Sequence, residues 1–173
     1  MRPNVLQHQY AIALPSSASA TLSTKGVLIC TAWYGWDRES GVFFLCHFDH
    51  PWSARCVPRI LKELGQAAGP GHRFQSVLVG GKRWFWSKCT RARIKEQVSL
   101  QSDLKITVRD GPMDGCCFRQ RDIVMSAKFG DVTSSVELEG DSAPPGLCWV
   151  TGPMQRVAAD AKPLIWTPPQ VPQ

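Results

Sequence analysis

The chain has 173 residues, of which 43% are hydrophobic and 20% are charged, with a formal net charge of +6 and an isoelectric point of about 9.1. This composition is typical of a globular protein, and the length predicts one domain, residues 1–160, followed by a proline-rich tail, residues 161–173. No apolar run approaches the length needed to cross a bilayer, so we expect no membrane-spanning helix.

The apolar patterns predict a mixed α+β or α/β fold, with mostly antiparallel, sandwich-like sheets flanked by two or three helices. A first strand is expected at residues 10–14, and a β-hairpin at residues 26–48. Helices are expected at residues 57–68, where Pro58 falls in the first turn, and at residues 90–101, with Thr90 as the cap. Apolar–polar alternation predicts the remaining strands, which are residues 74–79, 104–108, 123–127, 132–138 and 147–151.

The predicted hairpin brings a thiol close to an imidazole. Its strands are residues 26–34 and 41–48, joined by a polar turn at residues 35–40. Folding the chain at the middle of this turn places Cys30 almost directly opposite His47, and cross-strand partners lie about 5 Å apart at Cβ. We expect the two side chains to meet at hydrogen-bonding distance beside an opening that admits an amide. Such a pair can supply a nucleophile and its base.

This chemistry requires further groups around the pair. A free cysteine has a pKa of about 8.5, and a neighbouring imidazolium is expected to lower the pKa of Cys30. The imidazole needs a third group that fixes its tautomer, for which Thr24 is the first candidate and Asp49 and His50 are alternatives. Gly26 has no side chain to block approach, so its surroundings could leave backbone N–H groups free as oxyanion donors.

These residues form a pattern, T-x-G-x-x-x-C followed by a strand, an aspartate-containing turn and G-x(5)-H-F. The pattern resembles the chemoreceptor glutamine deamidase family, known as CheD. In that family a cysteine, a histidine 17 residues later and a threonine six residues before the cysteine form the catalytic set, which the resemblance places on Cys30, His47 and Thr24. It covers roughly residues 20–135, including a strand that ends at Gly80-Gly81. The Cys–His pair also looks similar to that of cytotoxic necrotizing factor.

The resemblance implies a protein-glutamine deamidase that works through a cysteine thioester and needs no metal or organic cofactor. Its substrate would be a chemoreceptor or another glutamine-bearing protein, with a regulatory protein as a further possible partner. One variant is an effector-type deamidase that acts on a host protein. The alternative from another class is a non-catalytic binding module that uses residues 82–88 or the helix at 57–68. The N-terminus lacks the pattern of a signal peptide, which predicts a cytoplasmic protein or a secreted effector without a cleaved signal.

Two other interpretations are weaker. Cys46, His47, His50 and Cys56 are zinc-ligand types, but neighbouring strand residues point to opposite faces, so Cys46 and His47 would diverge. Cys46 is therefore expected to be replaceable. The positive charge and the basic aromatic segment at residues 82–88 suit nucleic acid, but no nucleic-acid fold signature accompanies them, so we do not expect a nucleic-acid partner. With seven cysteines, at least one thiol stays outside any intramolecular disulfide.

Overall fold

The computed structural model describes residues 5–14, 19–27, 29–81, 85–101, 103–113, 120–128, 131–139 and 154–157. Within these ranges the fold is α+β with mostly antiparallel sheets, which confirms the predicted class. The predicted strand at residues 147–151 and the tail at 161–173 lie outside the described residues. In the described ranges, neither helix has the length and apolar character needed to cross a membrane.

The elements follow one another in a simple order. The strands are β1 (Gln9–Ala13), β2 (Ser19–Val27), β3 (Thr31–Trp36), β4 (Phe43–Phe48), β5 (Arg73–Gly80), β6 (Lys105–Asp110), β7 (Gln120–Lys128), β8 (Asp131–Glu139) and β9 (Gln155–Arg156). A 3-10 helix at Pro51–Cys56 leads directly into α1 (Val57–Ala68), and α2 is Phe85–Ser99.

The strands form two sheets. The larger sheet has the order β6-β5-β3-β4-β1-β9, and the smaller sheet has the order β2-β7-β8. One face of the larger sheet packs on the smaller sheet through buried side chains such as Ala32, Leu45 and Ile123. The other face packs on the helices, where Trp33 and Cys46 share one buried core with Ile60 of α1. The alternation of side chains along each strand produces these two cores.

The predicted hairpin is partly correct. Strands β3 and β4 pair antiparallel, as expected. The predicted first strand of the hairpin, residues 26–34, is wrong because these residues do not form one continuous strand. Residues 19–27 belong to the smaller sheet, the chain bends at Ile29 and Cys30, and β3 begins only at Thr31. The pairing of β2 with β7 shifts between Thr24 and Val27, and Gly26 between them has a φ of 69°. An apolar run therefore crosses from one sheet to the other without a polar break.

Local sequence signals predict the bounds of one helix correctly and misplace the start of the other. Helix α1 has the predicted bounds, since Pro58 falls in its first turn and Gly69, with a φ of 90°, ends it. Helix α2 begins at Phe85 rather than at Thr90, so the predicted start is wrong. The Thr90 hydroxyl donates to the Trp86 carbonyl at 2.9 Å, a bond inside the helix rather than at its cap.

Candidate active site

The best-defined contact of the candidate site joins the two sheets. Oγ1 of Thr24, on β2, lies 2.8 Å from Nδ1 of His47, on β4, and 2.6 Å from the carbonyl oxygen of Val5. Both side chains are buried, and Thr24 has no measurable exposure. Packing of the smaller sheet on the larger one thus brings together two of the three residues that the sequence singles out.

These two distances fix the tautomer of the imidazole. A threonine hydroxyl carries one proton, and the carbonyl oxygen of Val5 can only accept, so that proton lies between Thr24 and Val5. The hydroxyl oxygen therefore accepts from Nδ1–H of His47. The other ring nitrogen, Nε2, then carries a lone pair, and it is buried without a hydrogen-bond partner among the described residues. A buried acceptor without a partner is uncommon in folded proteins, and Nε2 therefore offers a lone pair that no described group occupies.

Cys30 lies in the bend that leads into β3. The register pairs Thr31 with Phe48 and Ala32 with His47, so Cys30 is diagonal to His47 and not directly opposite as predicted. The turn is centred one residue later than the sequence suggests, which shifts the cross-strand pairing by two residues. Because side chains alternate with a period of two, this shift keeps Cys30 and His47 on the same face of the sheet register.

The predicted hydrogen bond between the thiol and the imidazole is not formed. In the described part of the chain, Sγ of Cys30 accepts instead from Nε2 of Gln7 at 3.2 Å, while Nε2 of His47 stays without a partner. Cys30 and His47 are each only 2% exposed, so the expected opening beside them is also wrong for this structure. The site is therefore closed in this structure, with the Gln7 amide hydrogen-bonded to the Cys30 sulfur.

Burial determines the charge of both groups. Desolvation raises the pKa of Cys30 to about 11, with a further increase from the charge of Asp49, whereas the hydrogen bond from Gln7 lowers it. Desolvation also lowers the pKa of His47 to about 4. The prediction that an imidazolium lowers the thiol pKa is therefore wrong, because both the thiol and the imidazole are neutral near pH 7.

Asp49 and His50, the alternative partners of the imidazole, belong to a separate network. Nδ1 of His8 lies 3.2 Å from Oδ1 of Asp49, and the Ser53 hydroxyl donates to the same oxygen at 2.6 Å. His50 caps the 3-10 helix, because its Nδ1 accepts from the backbone N–H of Ser53 at 3.2 Å. Thr24 is thus the partner of His47 Nδ1, and Asp49 acts on the site through its charge.

This network contains the residues that could hold a metal. Ligand atoms of His8, Asp49 and His50 lie within 4.8 Å of one another. However, Nδ1 of His50 accepts a backbone proton, so Nε2 carries the ring proton and faces Oδ1 of Asp49 at 3.6 Å. A histidine that binds a metal must offer a lone pair there and donate through its other nitrogen. The geometry therefore fits a hydrogen-bond network rather than a metal centre.

The sequence also proposes a zinc set that includes Cys46. Its side chain packs in the core between the larger sheet and the helices, whereas His47 contacts Thr24 on the opposite face. The predicted divergence of Cys46 and His47 is therefore confirmed. Cys46 is a fully buried thiol close in sequence to the site but separated from it by the sheet, and this makes Cys46 a matched control for Cys30.

Gly26 does not supply a free oxyanion donor. Its N–H donates to Oδ1 of Asp122, on β7, at 3.0 Å, so this expectation is wrong. The glycine instead provides the positive φ of 69° at the irregularity in the pairing of β2 with β7.

The bend at Cys30 is held by residues that sequence reasoning does not identify as parts of the site. A Cβ atom at Gly80 would overlap Val27 and lie 3.1 Å from the carbonyl oxygen of Cys30. The Ser87 hydroxyl, at the start of α2, donates to the carbonyl of Ile29 at 3.0 Å. The Gly-Gly pair at the end of the predicted strand was the available signal, whereas nothing in the local sequence indicates Ser87.

Arg91, also on α2, strengthens this support. It is 5% exposed, and its Nη2 donates to the carbonyl of Gly80 at 2.6 Å while Nη1 donates to that of Gly111 at 3.2 Å. Charge-assisted bonds of this kind are roughly twice as strong as neutral ones. Helix α2 and β5 therefore hold the Cys30 bend as one unit, and one arginine among several basic residues of a helix gives no sequence signal of that role.

Comparison with known proteins adds no family assignment. No protein-family model matches the sequence, and no curated protein matches it.

The burial of His47 predicts a pH-dependent stability. Its pKa is about 4 in the folded protein and about 6.5 when exposed, so the unfolded chain binds a proton first as the pH falls. The contribution of the neutral His47 ring to the free energy of unfolding is therefore complete above pH 6.5 and is lost as the pH falls towards 4. Between pH 7.5 and 5, we expect this residue to account for a loss of about 2 kcal/mol in the free energy of unfolding.

Urea unfolding of wild type and His47→Gln at both pH values measures this contribution. The glutamine cannot titrate, so the variant should lose about 2 kcal/mol less than wild type over the interval. Equal losses in the two proteins would show that His47 is not held neutral by burial.

Proposed function

We propose that this chain is a cysteine-dependent protein-glutamine amidohydrolase, which converts glutamine side chains of a protein substrate to glutamate. The observation that carries the proposal is the imidazole of His47. Thr24 holds it in the tautomer that leaves Nε2 buried, unpaired and able to accept a proton. Cys30 is diagonal to it in the strand register, and the resemblance to the chemoreceptor deamidases assigns the same three residues.

Attack and proton transfer occur together in the proposed mechanism. With a pKa of about 11, only about one Cys30 thiol in 10⁴ is ionised at pH 7, so a preformed thiolate is too rare to carry the reaction. Instead, Nε2 of His47 takes the Sγ proton as the sulfur bonds to the carboxamide carbon of the substrate. Nδ1–H remains bonded to Thr24, whose oxygen stabilises the imidazolium that forms.

The second half of the reaction releases ammonia and glutamate. The tetrahedral intermediate expels the amide nitrogen, which takes the proton from Nε2–H and leaves as ammonia. A water molecule then attacks the thioester while His47 again accepts a proton. The carbon–sulfur bond breaks, the thiol is restored, and the substrate carries a carboxyl group. One water is consumed for each ammonia released.

A substrate glutamine must displace Gln7 before it reaches the sulfur. The Gln7 side chain donates to Sγ and is half-buried, while Cys30 itself is 2% exposed. Movement of this one side chain and of the turn that carries it is thus part of the proposed cycle, as closing and opening segments are in many enzymes.

The proposed substrate is a methyl-accepting chemoreceptor or another protein that presents a glutamine on an accessible segment. The net charge of +6 favours association with an acidic protein surface. An effector-type enzyme acting on a host protein would use the same chemistry and would differ only in its partner.

Mass spectrometry of intact candidate receptors tests the proposal. Incubation with wild type should convert receptor glutamine to glutamate, and Cys46→Ala should do the same. The variant Cys30→Ala should leave the receptor unchanged. Deamidation that persists in Cys30→Ala would exclude the assigned nucleophile.

A non-catalytic binding module is the second candidate, and the burial of Cys30 and His47 favours it. Two exposed tryptophans would suit a partner surface. Trp52, on the 3-10 helix, is 66% exposed, and Trp86, on the contacting helix α2, is 59% exposed. Of the basic aromatic segment, residues 82–84 lie outside the described residues. Tight binding of a receptor without release of ammonia would support this function over catalysis.

Thr24→Val tests the orienting contact. Valine keeps the shape of threonine but removes the hydroxyl that contacts both Nδ1 of His47 and the carbonyl of Val5. We expect turnover to fall about 10- to 100-fold and stability to fall by about 1–3 kcal/mol. Thr21→Val, on the same strand and half-buried, is the control and should retain turnover. Unchanged turnover in Thr24→Val would mean that the hydroxyl does not orient the base.

A further inference from the structure

The turn formed by residues 5–8 contacts each member of the candidate site. The carbonyl of Val5 accepts from the Thr24 hydroxyl, the Gln7 amide donates to the Cys30 sulfur, and the backbone N–H of His8 donates to the His47 carbonyl at 2.9 Å. One short segment therefore covers the nucleophile, the base and the residue that orients the base.

The turn is held firmly in this place. The Val5 N–H donates to the Ser23 carbonyl at 2.7 Å, and the His8 carbonyl accepts from Gln155 at 3.1 Å. His8 has a φ of 61°, in the left-handed region that a histidine rarely adopts, and its side chain is anchored to Asp49 and Ser53. These bonds fix the backbone on both sides of Gln7 and thereby direct its side chain to Cys30.

Gln7 presents the functional group on which the proposed enzyme acts. Its Nε2 lies 3.2 Å from Sγ, and the carboxamide carbon is one bond away from that nitrogen. A neighbouring glutamine gives the contrast, because Oε1 of Gln9 accepts from the backbone N–H of Leu6 at 3.1 Å. The two glutamines share one short segment, yet the amide of Gln7 contacts the thiol and that of Gln9 caps the turn.

We propose that Gln7 is a substrate of this site in cis, so that the chain deamidates its own residue 7. This inference rests on the proposed function. The Cys30 sulfur bonds to the Gln7 carboxamide carbon while His47 takes the thiol proton. The carbon–nitrogen bond breaks with transfer of that proton to ammonia, and water hydrolyses the thioester to leave a glutamate at position 7. The step consumes one water and needs no other reactant.

The product would not remain against the sulfur. A carboxylate at position 7 would be desolvated in this site and would lie there with the negative charge of Asp49, which already acts on Cys30. The cost of burying the new charge and the repulsion between like charges both favour departure of the side chain from the thiol. Self-deamidation would thus uncover Cys30 for a glutamine of another protein.

Peptide mapping of the purified chain in water labelled with heavy oxygen tests this inference. The N-terminal tryptic peptide that ends at Lys25 carries both Gln7 and Gln9, so each measurement contains its own reference. In wild type we expect glutamate at position 7, either already on purification or with incorporated heavy oxygen, and an unchanged amide at Gln9. In Cys30→Ala we expect an unchanged amide at both positions.

A glutamine peptide added to the same samples separates the two proposals. If wild type deamidates the added peptide while Gln7 stays an amide, the self-deamidation is wrong and the proposed function stands. If neither amide reacts, both are wrong. Equal conversion of Gln7 in wild type and Cys30→Ala would reveal spontaneous hydrolysis and would also overturn the inference.

Discussion

Replacement of Cys30 by alanine is expected to lower the rate of glutamine hydrolysis by on the order of 10⁴-fold or more, as removal of a nucleophile does in other covalent enzymes. The reason is that the proposed thioester cannot form without Sγ. Because the side chain is small and lies in a bend, its replacement should leave the fold intact. Ammonia release from a glutamine peptide measures the effect.

Cys46→Ala is the control for this experiment. Both thiols are buried and both lie within or beside the β3–β4 pair, but Cys46 faces the helices. It should lose about 1 kcal/mol of stability from the vacated space and retain full turnover. Comparable loss of activity in both variants would show that the effect is structural and would remove the support for Cys30 as the nucleophile.

His47→Ala is expected to lower turnover by about 10²- to 10⁴-fold, the contribution of a positioned general base. The expected loss is large because Cys30 is almost entirely a neutral thiol near pH 7 and depends on Nε2 to remove its proton. As the pH rises towards the thiol pKa of about 11, direct ionisation should replace the base. The ratio of wild-type to variant rate should therefore shrink from pH 7 to pH 10.

His72→Ala is the matched control for His47→Ala. Nδ1 of His72 lies 2.8 Å from Asp37 of the β3–β4 turn, and the side chain is only partly buried. This variant should keep the turnover and pH profile of wild type. A fully active His47→Ala, or a rate ratio that does not change with pH, would argue against a base at this position.

Some of the fold follows from local sequence. The stripe of Ile60, Leu61 and Leu64 and the glycine after Ala68 define α1, since a helix is recognised by its period and its end. The strand period of two also separates Cys46 from His47, and this holds at any register because the two residues are neighbours on one strand.

The site itself depends on contacts between distant segments. The Thr24–His47 bond joins two sheets, and a continuous apolar sequence hides the change of sheet between β2 and β3. The pKa directions of Cys30 and His47 follow from burial under a second sheet, which no local pattern reports. The turn at residues 5–8 mixes two apolar and two polar residues and has no pattern that places it beside Cys30, so its contact with Cys30 was not predictable.

Rapid-quench mass spectrometry of the protein with a glutamine peptide tests whether Cys30 forms a covalent thioester with a glutamine side chain. We expect an adduct on Cys30 with the mass of the peptide less that of ammonia, present in wild type and absent from Cys30→Ala. Release of ammonia without an adduct, at a rate that Cys30→Ala does not change, would contradict the thioester mechanism.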